Sequence, residues 1–149
     1  MGPTRSDLGM SGSDAMDFLR THRHLALSTL GPDGWPHTVP VTYTVVEDRL
    51  AMTAKRRSQK VVNLTRDRRV SGLVEDGQTY DSRRGVLVVG TAEVIPDDAL
   101  ALQVIEAILA SDPLGDGAVP LALSEMARNR SAVFITPLRL VSWDHGAGP

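Results

Sequence analysis

The stretch L-A-M-T-A-K-R-R-S-Q-K-V-V-N-L-T-R-D-R-R-V-S-G-L-V-E, from Leu50 to Glu75, decides the fold. Its apolar opening completes a strand running from Arg49 to Ala54. The V-V-N-L spacing then predicts a helix of about two turns from Ser58 or Gln59 to Arg66, and Val70 to Glu75 returns to strand alternation. Strand, basic loop, helix start is a geometry that binds phosphate, because the first N–H groups of a helix lack intrahelical acceptors. The charge agrees. Lys55 to Arg69 holds seven of the sixteen Lys and Arg residues and one of the eighteen acids, Asp67, a local balance of +6 against −8 for the remainder. A mildly acidic chain that gathers its bases in one segment has a place for an anion or, on the blander reading, a solvated basic turn.

Working outward, Met1 to Gly12 has no periodicity and is expected to be disordered. Ser13 is placed to cap a helix with Asp14 and Asp17 in its first turn and Phe18 and Leu19 inward, ending at His22 to His24. Leu25 to Leu30 reads as a strand closed by the turn Gly31-Pro32-Asp33-Gly34. Trp35 to Val46 reads as one longer strand. Its two prolines, Pro36 and Pro40, demand a free edge or a bulge, and a backbone left unpaired there is one a ligand can approach.

Downstream, Asp76-Gly77 marks a turn and Arg84 to Ile95 a long strand whose Gly85 and Gly90 suggest bulging or coiling. A helix follows from Pro96-Asp97-Asp98 to about Ala110, apolar nearly all round and therefore largely buried. Ser111 to Pro120 reads as a loop, Leu121 to Arg128 as a weaker helix that Asn129 ends. Ser131 to Ile135 and Arg139 to Trp143 read as the last strand or as a strand pair broken at Pro137. Residues 13–145 form one domain and 146–149 a loose tail. Short connections make the pairing antiparallel, and glycine-bent strands point to a small closed barrel. The class is mainly β, of the α+β kind.

At 149 residues and net charge −2, the chain fits one domain and does not have the overall basic character of a dedicated nucleic-acid binder. It has no cysteine, which excludes disulfides, thiol catalysis and thiolate metal sites. No apolar run approaches the ~20 residues needed to span a bilayer. A cytoplasmic protein with neither membrane nor nucleic acid as partner is expected.

Within the basic loop, Lys60 stands in the first turn of the helix, against the helix dipole, which makes sense if an anion sits between the ammonium and the helix N-terminus. The Ser58 hydroxyl either caps the helix or bonds a phosphate oxygen. Arg66, Arg68 and Arg69, two turns on, read as surface or ion-pair residues. His22 and His24 share a face if they lie on a strand, but no third ligand has a suitable spacing, so no metal site is assigned. His37 lines a pocket or is a polar rim residue. No nucleophile motif, P-loop or Rossmann glycine pattern occurs, and no residue is assigned a catalytic role.

The ordered segments L-A-L-S-T-L-G-P-D-G-W-P-H-T-V-P-V-T-Y, A-K-R-R-S-Q-K-V-V-N-L-T-R-D-R-R-V-S-G-L-V-E-D-G and R-G-V-L-V-V-G-T-A-E-V-I resemble the pyridoxamine-phosphate-oxidase-like proteins. With Y-D-S-R-R-G-V and the terminal S-W-D-H, the chain is most similar to the actinobacterial flavin/deazaflavin oxidoreductases of the branch favouring coenzyme F420. The resemblance covers about residues 15 to 145. It implies a six-stranded antiparallel split β-barrel of Greek-key type with flanking helices, the FMN-binding split barrel. It further implies a homodimer holding its cofactor at the subunit interface.

By position, the resemblance makes Ser58 and Lys60 the cofactor-phosphate contacts, with Lys55 and Arg57 as neighbours suited to an acidic tail. Thr38, Val39, Pro40 and Val41 match the strand whose backbone meets the ring, and Trp143 approaches from the other subunit. Two departures stand out. Many relatives carry threonine where this chain has Ala54, a position the resemblance also counts among the cofactor-binding residues. The second-strand arginine with which pyridoxamine-phosphate oxidases hold the flavin phosphate corresponds to Val39. The implied activity is hydride transfer from reduced F420 to an unsaturated organic small molecule. The alternatives are an FMN-binding oxidoreductase of the same fold or a non-catalytic cofactor carrier.

Overall fold

The computed structural model describes residues 9–111 and 122–147. Most of the segment expected to be disordered, most of the loop from Ser111 to Pro120 and the last two residues of the tail lie outside that range. The elements are α1 (Gly12–Arg20), β1 (His24–Leu30), β2 (Pro36–Thr42), β3 (Thr44–Val46), β4 (Arg49–Lys55), α2 (Gln59–Arg66), β5 (Arg69–Asp76), β6 (Arg84–Ile95), α3 (Asp98–Ala110), α4 (Leu123–Ala127) and β7 (Arg130–Asp144). Short 3₁₀ turns occupy Tyr80–Ser82 and His145–Ala147. Among the described residues no helix is long and apolar enough to cross a membrane.

One antiparallel sheet carries the strands in the order β2-β1-β5-β6-β7-β4-β3. The two strands at its ends, β2 and β3, follow one another in the chain with only Tyr43 between them. The sheet therefore curls until its ends join through one residue, a split barrel with helices at its flanks. The single strand expected from Trp35 to Val46 is thus broken at Tyr43. There the backbone N–H leaves the sheet to donate to the Arg23 carbonyl at 2.8 Å. The buried Tyr43 hydroxyl donates to the Leu19 carbonyl at 2.6 Å, pinning the bend to the end of α1. Counting β2 and β3 as one bent strand recovers the six strands expected.

One open reading is decided and one expectation is corrected. The last strand is continuous through Pro137. The register slips so that Gly90 faces Pro137 while Val89 faces Arg139, leaving Leu138 as the extra residue of a bulge. A bulge needs no ladder donor at the proline. Gly90 is required opposite it, since a Cβ there would lie 2.2 Å from the Thr136 carbonyl oxygen. At the N-terminus the helix cap is Ser11 rather than Ser13: the Ser11 hydroxyl accepts from the Asp14 N–H at 3.1 Å. Met10 is held as well, its N–H donating to Ser142 Oγ at 2.8 Å.

The barrel interior is filled by Leu25, Leu27, Tyr43, Leu50, Met52, Val74, Val86, Val88, Val133 and Ile135. α2 lies across one end against β1, β4 and β6. Its Leu64 enters the core, and its Asn63 is fully buried. Asn63 is satisfied there, donating to Thr29 Oγ1 at 3.0 Å and accepting from Gln59 Nε2 at 2.8 Å. Outside the barrel, α3 covers Ala51, Ala132 and Phe134 with Val104 and presents Ala101 and Ile105 to α4. That two-sided burial explains its nearly all-round apolar sequence.

Candidate functional site

The basic loop is built as a tight connection between β4 and α2. The Ser58 N–H and hydroxyl both donate to the Lys55 carbonyl, at 3.0 and 2.7 Å. The Arg56 N–H donates to the Asn129 carbonyl at 3.0 Å, fastening the loop to the entrance of β7. Ser58 is the N-cap residue of α2 by conformation, yet its side chain makes no capping bond and the first turn carries no acid. The N–H groups that begin α2 thus receive nothing from a side chain, and the hydroxyl proton is already used inside the loop. To donate to a phosphate, Ser58 would have to release Lys55.

The cations of the segment separate into two groups. Arg56 is occupied: it reaches Asp98 Oδ1 at 2.6 Å and the Arg130 carbonyl at 3.3 Å. Arg66 donates to the Leu30 carbonyl, Arg68 to the Ala92 carbonyl at 3.0 Å, and Arg69 to both oxygens of Asp67. Lys55, Arg57 and Lys60 have no such partner among the described residues. Lys60 is half-buried. Desolvation, and secondly the positive charge of Arg130, lower its pKa below the ordinary lysine value.

Arg130, which sequence reasoning missed, opens β7 directly opposite Lys55. The only signal for it is the β4–β7 pairing, which joins distant parts of the chain.

β2 bonds only to β1, so its other edge is open, as the two prolines require. Thr38 and Pro40 are exposed on the outer surface, where Thr38 Oγ1 lies 2.8 Å from Ser28 Oγ. Val41 is buried in the barrel and Val39 packs against the same core, so these two offer a ligand backbone but not side chain. Ala54 is likewise buried, opposite Ser131, whose Oγ is buried without a partner. Trp143 covers Gly85, where a Cβ would come within 2.3 Å of its ring. It sits near the far end of β7 from Arg130, roughly 40 Å of strand away at ~3.3 Å per residue, so one chain does not bring it to the basic loop.

A cleft of about 330 Å³ lies beside the start of α2, lined by the β1–β2 turn, Trp35, His37, Gln59 and Asn63. His37 Nδ1 is buried there without a partner. A larger cleft, about 680 Å³, runs between α1, the Glu47-Asp48 turn and the β7 bulge and includes no residue of the loop. The histidine pair does not form a face: His22 lies before β1 and bonds Asp76 Oδ2 at 2.8 Å. Among the described residues no cluster of His, Asp and Glu could hold a metal.

The pyridoxamine 5'-phosphate oxidase family model matches residues 13–144. The chain belongs to that family. A solved family-like structure, a conserved hypothetical protein from Mycobacterium tuberculosis, is 36% identical and covers 97% of this chain and 91% of its own, with a TM-score of 0.85. A curated relative, the 5a,11a-dehydrotetracycline/5a,11a-dehydrooxytetracycline reductase of Streptomyces rimosus, is 34% identical over 85 residues, 53% of this chain. The match spans 60% of that reductase's length. The structure of an F420 reductase shares the fold at a TM-score of 0.61 and 22% identity, covering 83% of this oxidase-family chain and 93% of its own.

Proposed function

We propose that this protein is an oxidoreductase that binds coenzyme F420 and passes a hydride from its reduced form to an unsaturated organic acceptor. The observation that carries the reading is the half-buried Lys60 in the first turn of α2, a helix start without a side-chain cap. Lys60, Ser58 and the first-turn N–H groups would hold the cofactor phosphate. Lys55 and Arg57, exposed and without partners among the described residues, suit an acidic tail. The open edge of β2 from Thr38 to Val41 would face the ring, with Thr38 and Pro40 as side-chain neighbours. The coenzyme supplies the hydride chemistry when bound, and the chain supplies charge, orientation and exclusion of water. The dehydrotetracycline reductase and the F420 reductase among its relatives support reduction as the reaction class.

Val39 favours the deazaflavin over FMN. Where pyridoxamine-phosphate oxidases have an arginine for the flavin phosphate, this side chain packs against the barrel core. We also propose a homodimer with the cofactor at its interface. Its support is an outward-facing row across five paired strands, Pro40, Ala26, Leu73, Leu87 and Val141. Trp143 would then reach the partner's site.

Fluorescence titration with F420 and FMN, with sedimentation of the same samples, tests these points. Tighter binding of F420 to a dimeric species is expected. Equal or tighter binding of FMN overturns the cofactor choice, and a monomer at micromolar concentration overturns the interface. Binding without turnover across enones, quinones and tetrapyrroles would make the protein a carrier.

A further inference from the structure

We propose that Arg130 is a ligand of the bound cofactor's phosphate, so that β7 and α2 close a two-sided cationic site around one anionic group. The proposal rests on the anion-site reading above and adds a residue from a different part of the chain.

Backbone geometry fixes where Arg130 starts. It faces Lys55 across the β4–β7 pair, and directly opposed Cα atoms of antiparallel strands lie about 4.5–5.5 Å apart. Asn129 enters the strand with a φ of 57°, and its carbonyl accepts the Arg56 N–H. The Arg130 carbonyl accepts from Arg56 Nε. Loop and strand are thus tied together at the level where the guanidinium emerges.

The guanidinium itself is underused. Among the described residues its one hydrogen bond is Nη1 to Thr53 Oγ1, at 3.5 Å, the long limit for such a contact. No carboxylate pairs with Arg130 or with Lys60 among the described residues. Yet the chain pairs its arginines readily nearby: Arg128 reaches Glu125 at 3.4 Å, Arg56 reaches Asp98 and Arg69 reaches Asp67. Two partly buried cations that press on one another, with acids available a few residues away, make an arrangement that costs stability until an anion enters. An arginine's planar fork can take two oxygens of a phosphate while the lysine takes a third. Burial first, and the charge of Arg130 second, lower the pKa of Lys60.

The test compares wild type with Arg130→Gln and Arg130→Lys, using F420, FMN and inorganic phosphate as probes and the NMR titration of Lys60 as a readout independent of turnover. Arg130→Gln is expected to weaken binding of the tighter cofactor by about 10- to 100-fold, and Arg130→Lys to restore part of it. In the ligand-free protein the glutamine variant should move the Lys60 titration up toward the ordinary lysine range. Affinity unchanged in Arg130→Gln, with wild type binding normally, overturns this proposal and leaves the cofactor reading standing. Failure of wild type to bind any of the three probes removes the cofactor reading, and this proposal with it, whatever the Lys60 titration does.

Discussion

The two halves of the basic segment are alike in composition and opposite in state. Lys55 to Lys60 and Arg66 to Arg69 each crowd cations into a few positions. In the second half every arginine is consumed: Arg66 and Arg68 hold carbonyls of β1 and β6, and Arg69 grips Asp67. In the first half only Arg56 is consumed among the described residues, by Asp98 at the start of α3. Lys55, Arg57 and Lys60 keep their charges for something else. Charge density along a sequence does not separate a binding site from a structural clamp. What separates them is whether the fold supplies an acceptor.

α2 holds the two halves apart, so the largest effect comes from loosening it. Leu64 is fully buried where the helix meets the barrel core. Leu64→Ala should cost about 2–5 kcal/mol of stability in chemical denaturation, from lost transfer energy and the cavity left behind. A loss below ~1 kcal/mol would mean that the helix does not plug the barrel, and the contrast between its two ends would lose its structural basis.

Next in size is the free half itself. Lys60→Ala should weaken cofactor binding by about 1.5–3 kcal/mol if the ammonium makes a charge-assisted phosphate contact. Because the substitution also removes a desolvated charge beside Arg130, the unliganded fold should not be weakened. Unchanged affinity in a titration would return this half to a solvated turn and make the two halves equivalent after all.

This contrast was only partly legible in the sequence. Lys60 stood out because a lysine opposes the dipole at a helix start. Arg130 did not, because only the β4–β7 pairing brings it to Lys55. The different fates of Arg56 and Arg57 depend on Asp98, supplied by a helix on the barrel exterior. The fold shows the same limit. Arg84 to Ile95 matches β6, whose burial alternates from Val86 to Glu93 through most of its length. The bend at Tyr43 was invisible because Val41 and Tyr43 are both buried, so the period of two runs straight through a residue where the pairing partner changes. Pro137 leaves a break open because it lacks an N–H, and only the register opposite Gly90 shows that a bulge absorbs it. Periodicity reports which side of a strand is buried; it does not report what lies beside it.

The smallest effect should come from the occupied half, and its smallness is the point. Hydrogen bonding from Arg69, then its backbone bond and charge, hold the Asp67 carboxyl down to about 2. A depressed folded-state pKa contributes stability above the unfolded carboxylate value of about 4, and that contribution is lost as pH falls through the folded value. The window is therefore from about pH 4 to about pH 2, and the exposure of Arg69 leaves the pair screened. Arg69→Gln should raise the Asp67 titration toward the ordinary carboxylate range by NMR while leaving cofactor affinity at neutral pH unchanged. If the variant weakens cofactor binding as Lys60→Ala does, Arg69 is not spent on Asp67, and the division between a binding half and a structural half fails at the residue where it is drawn most sharply.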